Sequence, residues 1–417
     1  MKASKAKDGE PRKEHLADLA FQNFVLTGAG VKVRAAQLMQ INGDYVRQGP
    51  VDVQGLFTVT DLTEQVREQM SEVERNVVRL HEVVAEPVMP DVPIGPRCDE
   101  PHLCPYVPYC WRDVPDFSVF DVFGKKRAAS EYARGVRTLA DIRRCFETDA
   151  GFLTDRQSLL VECEADPDGN PHADRKALDS FLASVQYPVA HLDFESYWAG
   201  LPRWDGMRPY EQTVFQYSIH HQDSPGSVTG HDEFLAPEGV DPRRLVAEAL
   251  VRDLAGGSGS VVVWNQGFEK ARLKELAAWY PDPAEGLDAI NDRIVDVAAP
   301  FCSKDYYDLA FKGSWSVKSV LPALFPDDPD LNYDNLDMVH NGGEASEAFR
   351  DLHLVEDAAE RERVRKALLK YCALDTLATA KILNFLQSVQ RGREGTPANE
   401  PRTQKVLGPR PLSASSL

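Results

Sequence analysis

The stretch YPVAHLDFES at residues 187–196 restricts the fold of this chain more than any other feature. It begins as a run apolar enough for a buried strand and ends in two carboxylates separated by one phenylalanine. Side chains alternate along a strand, so Asp193 and Glu195 share one face while Leu192 and Phe194 share the other. Two like charges side by side repel, and burying them is costly unless a cation sits between them. The pair is therefore either a solvated strand end or a metal site, and the apolar approach favours the metal site.

The surrounding pattern supplies a sheet for that strand. After PVAHLDFE come TVFQYSIHH and HDEFLA as strands, PRRLVAEALVRDL as a helix, SVVVWNQ as a strand, and then helices to about Gln390. An antiparallel start followed by alternating helix and strand predicts a mixed α/β sheet flanked by helices. Upstream, EHLADLAFQNFVL has helical spacing, and VKVRAAQLMQINGDYVRQG reads as a strand, an Asn42-Gly43 hairpin turn and a second strand. A charged amphipathic helix from Thr63 follows and ends at the proline-rich EPVMPDVPIGPRC. These features divide the chain into a first domain over 1–114, a helical connector over 115–185, the strand-rich domain over 186–391 and a disordered tail over 392–417.

Composition narrows the class. At 417 residues and 43% hydrophobic content the chain has room for two or three domains. No apolar run approaches the roughly 18 residues needed to span a bilayer, and MKASKAKDGEPRK has no signal-peptide core, which predicts a cytoplasmic protein with no membrane partner. The net charge of −18 argues against a surface coated in phosphate-binding groups, although divalent cations reverse the sign of a carboxylate-lined cleft. Seven cysteines without a secretion signal point to reduced thiols or metal ligands.

Further acidic ligands come from two later stretches. In VVVWNQGFEKARLKEL a strand gives way to a helix, placing Glu269 near a positive helix end, where it is either a ligand or an ordinary N-terminal helix acid. In LLKYCALDTLATAKIL, Tyr371 and Asp375 are four residues apart and share a helix face. The ordered set D-x-E, N-x-x-F-E and Y-x-x-x-D resembles the DEDDy exonucleases, the DnaQ-like branch of the ribonuclease H-like fold. RIVDVAAPF and GSWSVKSVLPAL support the resemblance, and LDFESYWAGLPRWDGMRPYEQTVFQYSIH is similar to a widespread bacterial domain of uncharacterised function placed in that superfamily.

The resemblance covers residues 187–390 and implies a ribonuclease H-like fold and a 3′–5′ exonuclease of DNA or RNA using two Mg²⁺ or Mn²⁺ ions. It implies that Asp193 bridges both ions, that Glu195 and Asp375 complete the water-activating site, and that Glu269 holds the second ion. Tyr371 would orient the attacking water. The family usually has Asp where Glu269 stands, and Asp296 is the substitute ligand. His191 reads as a strand neighbour, and Asn265 as a residue satisfying backbone at the turn.

In CDEPHLCPYVPYC, Cys98, Cys104 and Cys110 are six apart with prolines between them, unlike the paired spacing of a zinc ribbon. The triplet resembles the C-terminal part of the iron-sulfur staple of RecB-like nucleases, which implies an incomplete [4Fe-4S] site lacking an upstream fourth cysteine. The first stretch, MKASKAKDGEPRKEHLADLAFQNFVL, is similar to the same family's E-V-K motif and following helix, with Lys2 as a vestigial catalytic lysine and Gln22 as the helix glutamine. The resemblance thus implies a partial α/β restriction-endonuclease-like piece ahead of the exonuclease, catalytically dead because its metal-binding acids are absent. It also predicts a longer natural product, with a GTG valine codon read as the start, and an exposed N-terminal part in this chain. Cys145, Cys163, Cys302 and Cys372 read as plain buried thiols. Two other functions fit the same motifs: a non-catalytic ribonuclease H-like nucleic-acid-binding or scaffold module of a repair or defence complex, and a zinc or iron-sulfur regulatory protein.

Overall fold

The computed structural model of the chain describes residues 11–146 and 152–392. Lys2 and the tail from residue 393 onward lie outside the described residues. The rest falls into two units. The first runs through Pro93 and adds Asp99–His102 and Trp198–Gln212, and the second takes Ile94–Cys98, Leu103–Tyr197 and the chain from Thr213. The 115–185 segment, expected as a separate connector, thus groups with the strand-rich region, while residues 198–212 from within that region join the first unit.

In the first unit, helix α1 (Lys13–Gly28) and helix α2 (Thr63–Ala85) pack around Ala20, Leu38, Leu62 and Val66. Strand β1 (Gln37–Ile41) ends at the expected Asn42-Gly43 turn, but its partner is not the segment that follows. Asn42 takes two bonds from farther along, its backbone N–H donating to Leu56 O and its side-chain amide to Gly55 O. The loop closes there, and β2 (Phe57–Asp61) pairs antiparallel with β1 from Ile41↔Phe57. A side chain that completes a wide loop overrides the tight-turn reading. Arg47 ties in the later insertion by donating to Pro202 O and Arg203 O. Phe21, Val25, Val84 and Met89 remain exposed in this unit.

The second unit carries short helices α3 (Lys125–Ala133) and α4 (Leu139–Phe146) on either side of Gly135, whose φ of +91° is the left-handed turn that only glycine adopts freely. Helix α5 (Asp155–Ala165) and helix α6 (Arg175–Ala183) lead into a five-stranded sheet. Its strands are β3 (Val189–Tyr197), β4 (Thr213–Gln222), β5 (Gly230–Leu235), β6 (Val261–Val263) and β7 (Ile294–Asp296), in the spatial order β5-β4-β3-β6-β7. The first three pair antiparallel, whereas β3–β6 and β6–β7 pair parallel, so the sheet is mixed as expected.

Helices cover both faces. Leu192, Phe194, Tyr217 and Ile219 point into a core shared with α7 (Pro242–Leu254), α8 (Gly267–Trp279) and α9 (Pro281–Asp292). The opposite core holds Tyr197, Phe215 and Phe301 with α10 (Val317–Leu324), α11 (Gly342–Asp351) and the 33-residue α12 (Ala358–Gln390).

The register of β3 against β6 depends on one glycine. Ser260 N–H donates to Gln186 O and Ala190 N–H to Ser260 O, which presses the two backbones together just before the strands begin. A Cβ on Gly259 would fall 1.7 Å from Pro188 O, and backbone cannot retreat as a flexible side chain can. Gly259→Ala is therefore expected to destabilise the second unit by about 2–3 kcal/mol, the scale of forced overpacking. Urea unfolding checks it, an unchanged midpoint being the contrary result.

Candidate metal centre

Because β3, β6 and β7 run parallel, their C-terminal ends lie on the same edge of the sheet, the usual place for a site in an open α/β sheet. Asp193 stands at the middle of β3 and Glu195 two residues closer to its C-terminal end, on the face turned to α12. A register irregularity between Glu195 and Ser196 against β4 marks the end of regular pairing, a place where strands re-aim side chains. On α12, Tyr371, Asp375 and Thr379 recur every four residues and so line one face.

A buried polar seam holds that face against the sheet. His191, fully buried, is bonded by Nε2 to Gln222 and by Nδ1 to Thr379. Burial lowers its pKa to about 4, which keeps the ring neutral and makes it the strand neighbour expected of it. Ser218 and His220 both reach Thr376, and Gln216 donates to Leu368 O.

Asp193, Glu195 and Asp375 each present a carboxylate oxygen within 4.8 Å of the other two, and among the described residues this is the one such group of potential ligands. Burial raises all three pKa values. Asp193 is pushed well above the ordinary carboxylate range by burial and then by Asp375, Glu195 and Glu269. Glu195 is pushed well up by burial and by Asp375, with Lys318 opposing. Asp375 rises to about 6, its burial offset by hydrogen bonds from Tyr333 and Tyr371 and by the charge of Lys318. Three crowded, hard oxygen donors with one nearby ammonium fit a divalent cation of the Mg²⁺ or Mn²⁺ type.

Three neighbours were not legible as site residues. Tyr333 lies in a short 3₁₀ turn and donates its hydroxyl to Asp375 Oδ1, and its ring stands 6.1 Å from that of Tyr371. Lys318, in the first turn of α10, donates to His340 O and holds its ammonium 5.3 Å from the Tyr333 ring centre and 5.8 Å from that of Tyr371. Cys372 is buried as expected, but it is not a plain thiol, because its Sγ lies 3.7 Å from both Asp193 O and Asp193 Oδ2. The stretch GSWSVKSVLPAL was the available signal for Lys318; nothing periodic marks Tyr333. Cys145 departs from expectation by being exposed, and Cys302 is half-buried.

Glu269 sits in the first turn of α8, buried, with Oε2 lacking any hydrogen-bond partner. It stands outside the three-carboxylate group yet acts electrostatically on Asp193, and burial raises its pKa to about 8. Asp296, the substitute ligand, is occupied otherwise. Its carboxylate accepts from the backbone N–H groups of Asn265, Gln266 and Ala298, fastening the end of β7 to the turn after β6. Asn265 takes the left-handed φ of +64° in that turn. Glu269→Gln is thus expected to weaken divalent-metal affinity about 10-fold or more. Asp296→Asn is expected to lower thermal stability more than affinity, since three backbone donors lose a charged acceptor. Titration with Mn²⁺ beside thermal melts of both variants checks the pair, and the reversed ranking would move the ligand to Asp296.

The remaining candidates are not brought together. Cys98, Cys104 and Cys110 do not converge to ligand distance among the described residues, although Cys104 N–H donates to Cys98 O. Gln22 is exposed on α1 and donates to Asp18.

Comparison with known proteins adds a match to a domain of unknown function. A family model described as "Domain of unknown function (DUF2779)" matches residues 190–316, which includes Asp193, Glu195 and Glu269 and stops short of Tyr371 and Asp375. The chain is also similar to "Uncharacterized protein UU173" of Ureaplasma parvum serovar 3, at 28% identity over 242 residues, 51% of this chain and 33% of that protein. It spans about a third of that relative's length. No solved structure matches.

Proposed function

We propose that the second unit is a metal-dependent 3′–5′ exonuclease of ribonuclease H-like fold, hydrolysing phosphodiester bonds of DNA or RNA. The observation that carries this reading is the convergence of Asp193, Glu195 and Asp375, 182 positions apart from first to last, in a cluster buried at Glu195 and half-buried at both aspartates, whose charges have too little cationic compensation. The mixed sheet, antiparallel and then parallel with helices on both faces, supports it.

Asp193, Glu195 and Asp375 would hold one ion, with Glu269 and its unpartnered oxygen available to a second. When bound, such ions supply an activated water and charge stabilisation for the leaving 3′ oxygen. The chain's own groups set the geometry. Tyr333 and Tyr371 both donate to the Asp375 carboxylate, and Tyr371 keeps its proton because burial and the carboxylates raise its pKa, so its oxygen can orient a water molecule as an acceptor. Lys318 offers positive charge where a phosphate oxygen would arrive. No helix among the described residues is long and apolar enough to cross a membrane.

The test is incubation of purified protein with 5′-labelled single-stranded DNA and RNA in Mn²⁺ or EDTA. Stepwise shortening from the 3′ end, abolished by EDTA, is expected. Absence of shortening on both substrates despite bound Mn²⁺ would favour a non-catalytic nucleic-acid-binding module, for which the position of Glu269 outside the cluster is the supporting observation.

A further inference from the structure

We propose that a cleft along the N-terminal half of α12 is the track for the phosphodiester backbone of a single strand whose 3′ end lies at the carboxylates. This rests on the exonuclease reading and specifies how its substrate is held. The cleft measures about 520 Å³ and is lined by Glu362, Arg363, Lys366 and Lys370 on α12, with Leu336 and Asp337 on the opposite wall, so its cations outnumber its carboxylates.

Three observations assign it to a polyanion. First, Arg363, Lys366 and Lys370 are spaced three and four residues apart, so they form one row on one helix face, in a chain whose net charge is −18. Lys370 is exposed and pairs with no carboxylate among the described residues. Lys366 with Glu362 at 3.5 Å, and Arg363 with Asp337 at 3.2 Å, are solvent-exposed pairs of the weak kind that a phosphate can replace.

Second, the facing wall of the cleft adjoins the carboxylate cluster. Leu336 immediately follows the 3₁₀ turn whose Tyr333 donates to Asp375, while Lys370 lies about a third of a turn round α12 from Tyr371. At about 1.5 Å of rise per residue, Lys370 lies about 7.5 Å and Arg363 about 18 Å along the axis from Asp375. With about 3.4 Å per stacked nucleotide, the row would meet phosphates roughly two to five positions behind the terminal one.

Third, the lining contains no aromatic side chain, and Ala367 keeps the helix surface between Lys366 and Lys370 low. Without a platform on which bases stack, the contact is with the backbone and is indifferent to sequence.

The experiment uses the full chain and fluorescein-labelled 20-mers of thymidine and of uridine, in Ca²⁺ to hold the site closed to hydrolysis, read by anisotropy over a series of NaCl concentrations. Wild type is expected to bind with a salt-dependent affinity. The double variant K366E/K370E is expected to bind about 10-fold or more weakly, with a slope of log affinity on log salt shallower by about 1–2, and K366R/K370R to bind as wild type. Circular dichroism confirms that the variants are folded, as the exposure of both lysines predicts. Equal binding by K366E/K370E, no binding by wild type, or equal competition by polyglutamate would overturn the proposal. Comparing the thymidine and uridine strands separates DNA from RNA as the source of the backbone. The same samples in Mn²⁺ separate the two readings. Shortening by wild type with binding unaffected in K366E/K370E removes the track alone, whereas charge-dependent binding without shortening removes the exonuclease alone.

Discussion

Asp193→Asn and Asp375→Asn are each expected to cut 3′-end nucleotide release by about a thousandfold or more, at least the loss that follows removal of one oriented group from a preorganised charge site. Among the described residues both carboxylates belong to the one group of ligand oxygens within 4.8 Å, and loss of either leaves that group with two carboxylates. The amide keeps the shape and removes the charge, so the same substitutions relieve repulsion among buried acids and should leave the metal-free chain as stable as wild type or more so. Activity and melting temperature therefore move in opposite directions, which separates a lost ligand from a damaged fold. Release rates and melts in EDTA decide the matter, and wild-type rates in both variants would place the site elsewhere.

Metal binding is expected to stabilise the chain strongly at pH 8 and weakly at pH 5. Burial lifts Asp375 from 3.8 to about 6 and Glu269 from 4.5 to about 8, and lifts Asp193 and Glu195 well above their ordinary range. An acid whose folded pKa lies above its unfolded one keeps its proton in the native chain while the unfolded chain releases it. Stability is then fully present below the unfolded value and falls as pH rises through the folded one, between 3.8 and about 6 for Asp375 and between 4.5 and about 8 for Glu269. In EDTA the melting temperature should accordingly decline from pH 5 to pH 8. Saturating Mn²⁺ displaces those protons, and at about a hundredfold over its dissociation constant it should raise the pH 8 melt by about 5–10 °C. Differential scanning fluorimetry at the two pH values checks this, a flat or rising EDTA profile being the contrary result.

The sequence disclosed the parts of the site that obey a period. Asp193 and Glu195 lie two apart on a strand, and Tyr371 and Asp375 four apart on a helix, so their shared faces follow from backbone geometry before any tertiary contact is known. The mixed sheet with its antiparallel start was legible for the same reason. Tyr333 and Lys318 were not, because a 3₁₀ turn and the first turn of a short helix impose no long pattern, and their meeting over Asp375 is settled by packing across 42 and 57 residues. The turn at Asn42 was read locally, and its outcome was set by a bond to Gly55. Asp296 looked like a spare ligand by position, whereas three backbone donors employ its carboxylate.

The continuity of α12 has a mechanical consequence. Its 33 residues run from Ala358 to Gln390 without an internal break, a rod about 50 Å long pinned to the sheet at Thr376 and Thr379. The interval between the lysine row and Asp375 is thus a ruler graduated by helical pitch, insensitive to loop motion. On the proposed track, adjustment to strands of different girth would fall instead to the facing segment near Tyr333 and Leu336, made of short turns that open at lower cost than a long packed helix. Such a gauge, with one fixed jaw and one yielding jaw, would measure position along a strand while tolerating variation across it.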